Sequence, residues 1–127
     1  MRTVILDTNA LMIPYQSGIN IEKEITRLLG ICRIIVPSSV VEEIEQLANE
    51  DGGTGRAAKL GLSIIKKRGF RLMETENKGD EGVIETALKM EGAIVTNDKE
   101  LQKRAKELKL PIIYPKGENR LVLEEAL

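Results

Sequence analysis

The chain has 127 residues, 42% hydrophobic and 31% charged, a size and balance that suit one substantial core and a single domain over 1–127. With no histidine, one cysteine and a net charge of -1, it lacks the means for a His base, a Ser-His-Asp triad, a His-liganded or Cys-rich metal site, an internal disulfide or a global pull on nucleic acid. No tryptophan, one phenylalanine and two tyrosines leave no aromatic platform for stacking bases, and no apolar run approaches the roughly 20 residues of a membrane span.

In chain order, residues 3–7 read as a buried strand ending in Asp7, followed by a short helical start. Asn20 is placed to cap a helix over 21–29, with Gly30 just past its end. Ile34-Ile35-Val36 is a second strand; Pro37-Ser38-Ser39 then opens a helix to about Ala48, with Ser39 and Glu42 at capping-box spacing. Asp51-Gly52-Gly53-Thr54-Gly55 reads as the one flexible loop, leading to a basic helix over about 56–68. A strand near 70–74, a helix over about 80–91, the strand Ala93-Ile94-Val95-Thr96 and a helix from Asn97-Asp98 to Leu108 follow. Pro111-Ile112-Ile113-Tyr114 is expected as the last parallel strand, with Leu121-Val122-Leu123 a candidate edge strand. The direct start Met1-Arg2-Thr3 lacks a secretory layout, so a cytoplasmic protein with no membrane partner is expected, with Cys32 a small buried apolar residue.

Apolar strands alternating with amphipathic helices imply an α/β fold: a three-layer α/β/α sandwich around a central parallel sheet. Ligands in such sheets bind beyond the carboxyl ends of the strands, where Asp7 and Thr96-Asn97-Asp98 fall. At 100° per residue, Glu43 lies beside the stripe Val40, Ile44, Leu47; Asp80 lies with Val83 and Ala87; Asp98 lies with Leu101, Ala105 and Leu108. Three of the acids have a plain structural use as well, Asp7 and Asp80 as helix caps and Asp98 as an acid favourable to the dipole behind an Asn97–Glu100 capping box, whereas Glu43 lies past the cap position. Jointly they are harder to explain so. Carboxylates roughly 4 Å apart repel by about 4 kcal/mol at an effective dielectric near 20, and a shared hard cation removes the conflict. All-oxygen donors favour Mg²⁺ or Mn²⁺, and such a site suits phosphodiester hydrolysis, the ion activating a water and taking up charge on the phosphate.

The opening Val4-Ile5-Leu6-Asp7-Thr8-Asn9, the segment Val40-Val41-Glu42-Glu43-Ile44, Gly79-Asp80-Glu81 and Ile94-Val95-Thr96-Asn97-Asp98 together resemble the PIN-domain family over nearly the whole chain. The resemblance implies an Mg²⁺- or Mn²⁺-dependent ribonuclease, commonly a homodimer, with Asp7, Glu43, Asp80 and Asp98 as the acidic quartet. Among these, Asp7, Asp80 and Asp98 are implied as metal ligands, with Thr96 and Asn9 as supporting residues. Met12-Ile13-Pro14-Tyr15-Gln16, the basic helix and Pro111-Ile112-Ile113-Tyr114 are most similar to PIN nucleases of small-subunit ribosomal-RNA processing and their short prokaryotic VapC-type relatives. A VapC-type toxin implies an antitoxin protein; the chain departs from the longer processing enzymes in having no extended arms or zinc module.

RNA contact is expected through phosphates, from the acid-free stretch 54–71 with Arg56, Lys59, Lys66, Lys67, Arg68 and Arg71, and from Lys99, Lys103 and Arg104. A phosphatase or receiver domain also sets acids at strand ends, but Asp7-Thr8-Asn9 has no second Asp two residues on, and neither explains Glu43. A catalytically silent PIN-like module binding RNA or a protein is the stronger rival; it has no need of a repulsive acidic cluster.

Overall fold

The computed structural model describes residues 1–125. Its strands are β1 (Thr3–Leu6), β2 (Arg33–Pro37), β3 (Arg71–Met73), β4 (Ala93–Val95), β5 (Ile112–Lys116) and β6 (Arg120–Glu124). Its helices are α1 (Thr8–Ser17), α2 (Ile21–Leu29), α3 (Ser38–Leu47), α4 (Gly52–Arg68), α5 (Gly79–Met90) and α6 (Lys99–Glu107). The strands form one sheet in the order β3-β2-β1-β4-β5-β6, parallel at every step except β5 with β6.

This order has a mechanical consequence. The chain starts in the middle at β1, builds outward to β3, then returns to the other side of β1 with β4. Right-handed crossovers put α1 to α4 on one face and α5 and α6 on the other, which makes the three-layer sandwich. Val4, Ile5, Leu6, Ile35, Val36, Ile94, Val95 and Ile113 are fully buried, as strands covered on both faces require. Beyond the carboxyl ends of β1 and β4, where the strand order reverses, the helices diverge and leave a crevice.

Several local expectations change. The glycine stretch is not a loose loop: α4 begins at Gly52 and runs 17 residues. Gly55 sits against the end of α3 so closely that a Cβ would stand 1.8 Å from the Glu50 carbonyl oxygen. Glycine there permits contact rather than mobility. The short helical start after β1 is a ten-residue helix with Pro14 inside it, stopped by Gly18 at φ 70°. Ser39 does not cap α3, whose N-cap is Pro37; its hydroxyl instead donates to the Gly79 carbonyl at 3.3 Å. Cys32 is only half-buried, its Sγ donating to the Gly30 carbonyl at 3.4 Å.

The edge strand β6 is closed by α2. Arg27 Nη2 donates to the Leu121 carbonyl at 2.8 Å and the Leu121 amide donates to Glu24 Oε1 at 2.9 Å, so an exposed sheet edge is satisfied by an i,i+3 ion pair. Asn20 caps α2 as the sequence suggests, accepting from the Lys23 amide at 3.0 Å.

Candidate active site

At the crevice, Asp7, Glu43, Asp80 and Asp98 all line one cavity of about 410 Å³, together with Asn9, Ser39, Lys78 and Glu81. Four elements deliver the four acids. Asp7 follows β1 and caps α1, its Oδ1 accepting from the Ala10 amide at 2.7 Å. Asp98 follows β4 and caps α6, its Oδ1 accepting from the Glu100 amide at 2.9 Å and the Leu101 amide at 3.2 Å. Capping is therefore how two of the acids are held, and it coexists with facing the cavity. Asp80 stands in the first turn of α5, and Glu43 one turn into α3.

Thr96 ties the two strand-end acids together. Fully buried, its Oγ1 accepts from the Asp98 amide at 3.0 Å, while its carbonyl accepts from Gln102 Nε2 at 2.9 Å. Next to it, the Asp7 amide donates to the Val95 carbonyl at 3.3 Å. The β1–β4 pairing thus sets the spacing of Asp7 and Asp98.

The approach of α3 to α5 sets the other two acids. A Cβ on Gly82 would stand 2.2 Å from Ser39 Oγ and 2.8 Å from the Asn77 carbonyl oxygen, so no side chain fits there without displacement. Ser39 and Gly82 are a pair of small residues that let the two helices touch.

Burial divides the acids. Asp7 alone is buried, 3% exposed; Asp98 is half-buried, and Glu43 and Asp80 are exposed at the mouth. The sequence pattern places Glu43, Asp80 and Asp98 beside apolar stripes, an expectation that is too strong in depth for the exposed Glu43 and Asp80, while Asp7 is buried at the end of its strand. Burial pushes the Asp7 carboxyl up from its ordinary 3.8 to about 7; the Thr96 hydroxyl and the Ala10 amide oppose this, and the charges of Asp80 and Asp98 add to it. Asp80 is also raised, first by desolvation, then by Asp98 and Glu43, with Arg104 opposing.

The donors fit a hard divalent cation in chemistry: the acids offer carboxylate oxygens, and two of them, Asp7 and Asp80, are raised first by burial and then by neighbouring carboxylate charge. Among the described residues, however, no three acids already stand in an arrangement that holds a metal ion. An ion here would keep part of its water shell, which Mg²⁺ does readily.

Comparison with known proteins gives the family and agrees with the fold. Residues 4–118 match the family described as PIN like domain. The chain belongs to that family. It is 34% identical over 125 residues to Ribonuclease VapC9 of Archaeoglobus fulgidus, covering 98% of this chain and 90% of the relative. It is 32% identical over 117 residues to Ribonuclease VapC4 of Methanocaldococcus jannaschii, covering 89% of each. Among solved structures, the fold is similar to the PIN domain endonuclease Utp24, with TM-score 0.81 and 22% identity over 98% of this chain and 92% of that one. A second, a domain of a functionally unknown protein from Methanocaldococcus jannaschii, gives TM-score 0.67 and 18% identity over 100% of this chain and 99% of that one.

The basic residues of this PIN domain are placed less simply than the sequence suggests. Arg56, Lys59 and Lys99 do not line the acidic cavity. Arg56 Nε donates to Tyr15 Oη at 2.8 Å, and Lys99 Nζ stands 5.7 Å from the Tyr114 ring centroid, a cation–π contact on β5. Arg68 is paired with Glu22, and Arg104 with Glu81 at 2.7 Å. The cation that does line the cavity is Lys78, which the acid-free stretch drew attention away from. Its only sequence signal was its place just before Gly79-Asp80.

Proposed function

We propose that this protein is an Mg²⁺- or Mn²⁺-dependent endoribonuclease that hydrolyses RNA phosphodiesters at the cavity of Asp7, Glu43, Asp80 and Asp98. The observation that carries the reading is the gathering of four carboxylates from four elements, one of them buried, in a single crevice at the switch point of the sheet. A fold needs no such cluster, since the neighbouring carboxylates add to the burial that already raises Asp7 and Asp80. Two relatives at about a third identity carry the name ribonuclease, which supports RNA as the substrate.

Asp7 and Asp98 would hold the ion, Asp80 would hold it from the opposite wall, and Glu43 would complete the negative charge at the mouth. When bound, the ion supplies a water of lowered pKa and takes up charge on the scissile phosphate. In its absence burial raises the Asp7 carboxyl to about 7, so it is partly protonated at neutrality and occupation of the cavity would release the proton it holds. Asn9, exposed on the cavity wall, is placed to orient substrate or solvent. The Thr96 hydroxyl keeps Asp98 in register with Asp7. No protein nucleophile is needed, and cleavage leaves a 3′-hydroxyl and a 5′-phosphate because the RNA 2′-hydroxyl takes no part.

The biological setting in this reading is the cytoplasm, as a homodimeric VapC-type toxin held by an antitoxin protein, or as a nuclease of ribosomal-RNA processing. The relatives' names favour the first. Among the described residues no helix is long and apolar enough to cross a membrane. The test is incubation of purified protein with labelled structured and unstructured RNA in Mg²⁺, Mn²⁺ or EDTA, beside Asp98→Asn. Cleavage that needs the ion and Asp98 supports the reading. RNA binding without cleavage under every ion leaves the silent module.

A further inference from the structure

The loop between β3 and α5 is held from two sides, α5 and α3. Glu85 reaches back from α5, its Oε1 accepting from the Asn77 amide at 2.9 Å and Asn77 Nδ2 at 2.8 Å, and its Oε2 from the Glu76 amide at 3.0 Å. From α3, Ser38 Oγ accepts from the Thr75 amide at 2.9 Å and Ser39 Oγ donates to the Gly79 carbonyl. The residue this clamp leaves projecting is Lys78, the one basic side chain on the acidic cavity. Its backbone is extended, φ -102° and ψ 165°, and its side chain takes no part in capping α5. Its ammonium has a weak tether, Glu42 at 3.4 Å, with the Lys78 side chain 85% exposed. An ion pair of that kind contributes little to folding and yields to a better anion.

We propose that Lys78 is the residue that binds a substrate phosphate next to the cavity, and that Glu85 is a positioning residue that sets Lys78 through the clamped loop. This rests on the nuclease reading above in taking RNA as the anion. A four-acid cavity repels a polyanion, so a cation fixed at its rim is what a phosphate backbone requires to enter. Holding that cation on an ordered loop lowers the entropy lost on binding. Glu42 then acts as a competitor for the same ammonium.

The test is binding of labelled single-stranded RNA in EDTA across a KCl series, followed by cleavage kinetics in Mn²⁺. Lys78→Ala is expected to weaken binding about 5-fold at low salt and to reduce the slope of log K against log salt by about 0.7, one phosphate contact. Lys78→Arg should retain both, and Glu42→Gln should tighten binding. Arg33→Ala, at the other end of β2, is the control for a non-specific loss of charge. Glu85→Ala should weaken binding in the same direction and speed amide exchange at Glu76 and Asn77, with Glu85→Gln intermediate. The double variant with Lys78→Ala should be no worse than Lys78→Ala alone, where a separate structural defect would add. Unchanged affinity and slope in Lys78→Ala, or an equal loss in Arg33→Ala, overturns the assignment of Lys78; additivity overturns that of Glu85. If Asp98→Asn abolishes cleavage while Lys78→Ala changes nothing, this inference fails and the nuclease reading stands; a changed slope in a protein that never cleaves gives the reverse.

Discussion

Among the described residues, the acidic cavity and a larger apolar one have opposite character. The larger, about 790 Å³, is lined by Leu11, Ile25, Ile34, Ile64 and Phe70, with Ile31 79% exposed, and with Lys23, Lys67 and an Arg68 already engaged by Glu22. The smaller, about 410 Å³, is lined by Asp7, Glu43, Asp80 and Asp98, with Glu81 beside them. Space in the first arises where α2 and α4 meet the sheet, and its apolar floor, Leu11, Ile25, Ile34 and Phe70, belongs to the core. In the second, the walls work against folding, because a buried Asp7 and its charged neighbours are retained where apolar residues would be more stable. Volume records how layers meet; function is recorded where the chain keeps an unfavourable arrangement.

The sharpest way to break this contrast is to compare cleavage between the two. Asp7→Asn or Asp98→Asn keeps the cap acceptor and removes one ligand charge, and should lower kcat/KM by more than roughly 100-fold, with wild-type activity abolished by EDTA. End-group analysis should find 5′-phosphates. A 2′,3′-cyclic phosphate, or full activity in EDTA, would rule this mechanism out.

The next effect is on stability, with the opposite sign. Asp7 has a folded-state pKa of about 7 against its ordinary 3.8, so between these values the folded state holds the proton that the unfolded chain has lost. Its contribution to stability is therefore complete below about pH 4 and is lost as pH rises to about 7, a change on the order of 4 kcal/mol. Denaturant unfolding in chelator should show stability falling over this window in the wild type, and a flatter profile that is higher at neutral pH for Asp7→Asn. Added Mn²⁺ should restore wild-type stability and not that of the variant. The absence of any pH difference between the two proteins would show that Asp7 is not desolvated.

In the apolar cavity the pattern should invert. Ile25 is 1% exposed on α2, and Ile25→Val should lower stability by about 0.5–1.5 kcal/mol through the methylene removed. Cleavage should be unchanged, since Ile25 lines the apolar cavity and not the acidic one. A loss of activity larger than the loss of folded protein would mean that α2 couples to the crevice.

How much of this was legible in the sequence depends on the range of the interaction. The alternation of strands and helices, the helix cap at Asn20 and the strand-end position of Asp7 follow from periodicity and short spacings, the local hydrogen bonds spanning three residues; the order of the strands, and the cap of α6 falling on Asp98 rather than Asn97, do not. Glu43 and Asp80 could be assigned to a face but not to a depth, since the α3–α5 approach through Ser39 and Gly82 decides how open that face is. The glycines at 52–55 were read as mobility; a tight helix junction uses the same residue for the opposite purpose, and only the neighbour, Glu50, tells them apart. Glu85 gave no signal, as its role lies in backbone amides eight and nine residues away.

The smallest expected effect concerns the basic helix. The sequence assigns Arg56 and Lys59 to RNA, with Lys99 beside the last acid, while the structure engages Arg56 with Tyr15 and Lys99 with Tyr114 and leaves all three off the cavity wall. A residue that touches the backbone only outside the cavity adds long-range attraction, which salt screens over about 10 Å at 0.1 M. Arg56→Ala with Lys59→Ala should therefore weaken RNA binding less than Lys78→Ala, about 2-fold or less at physiological salt, with a larger effect at low salt and no change in the cleavage step. Lys99→Ala should be smaller still, because its ammonium is held against β5. If the Arg56 and Lys59 double variant loses more affinity than Lys78→Ala, the RNA path runs along α4 and the cavity rim is not its main anchor.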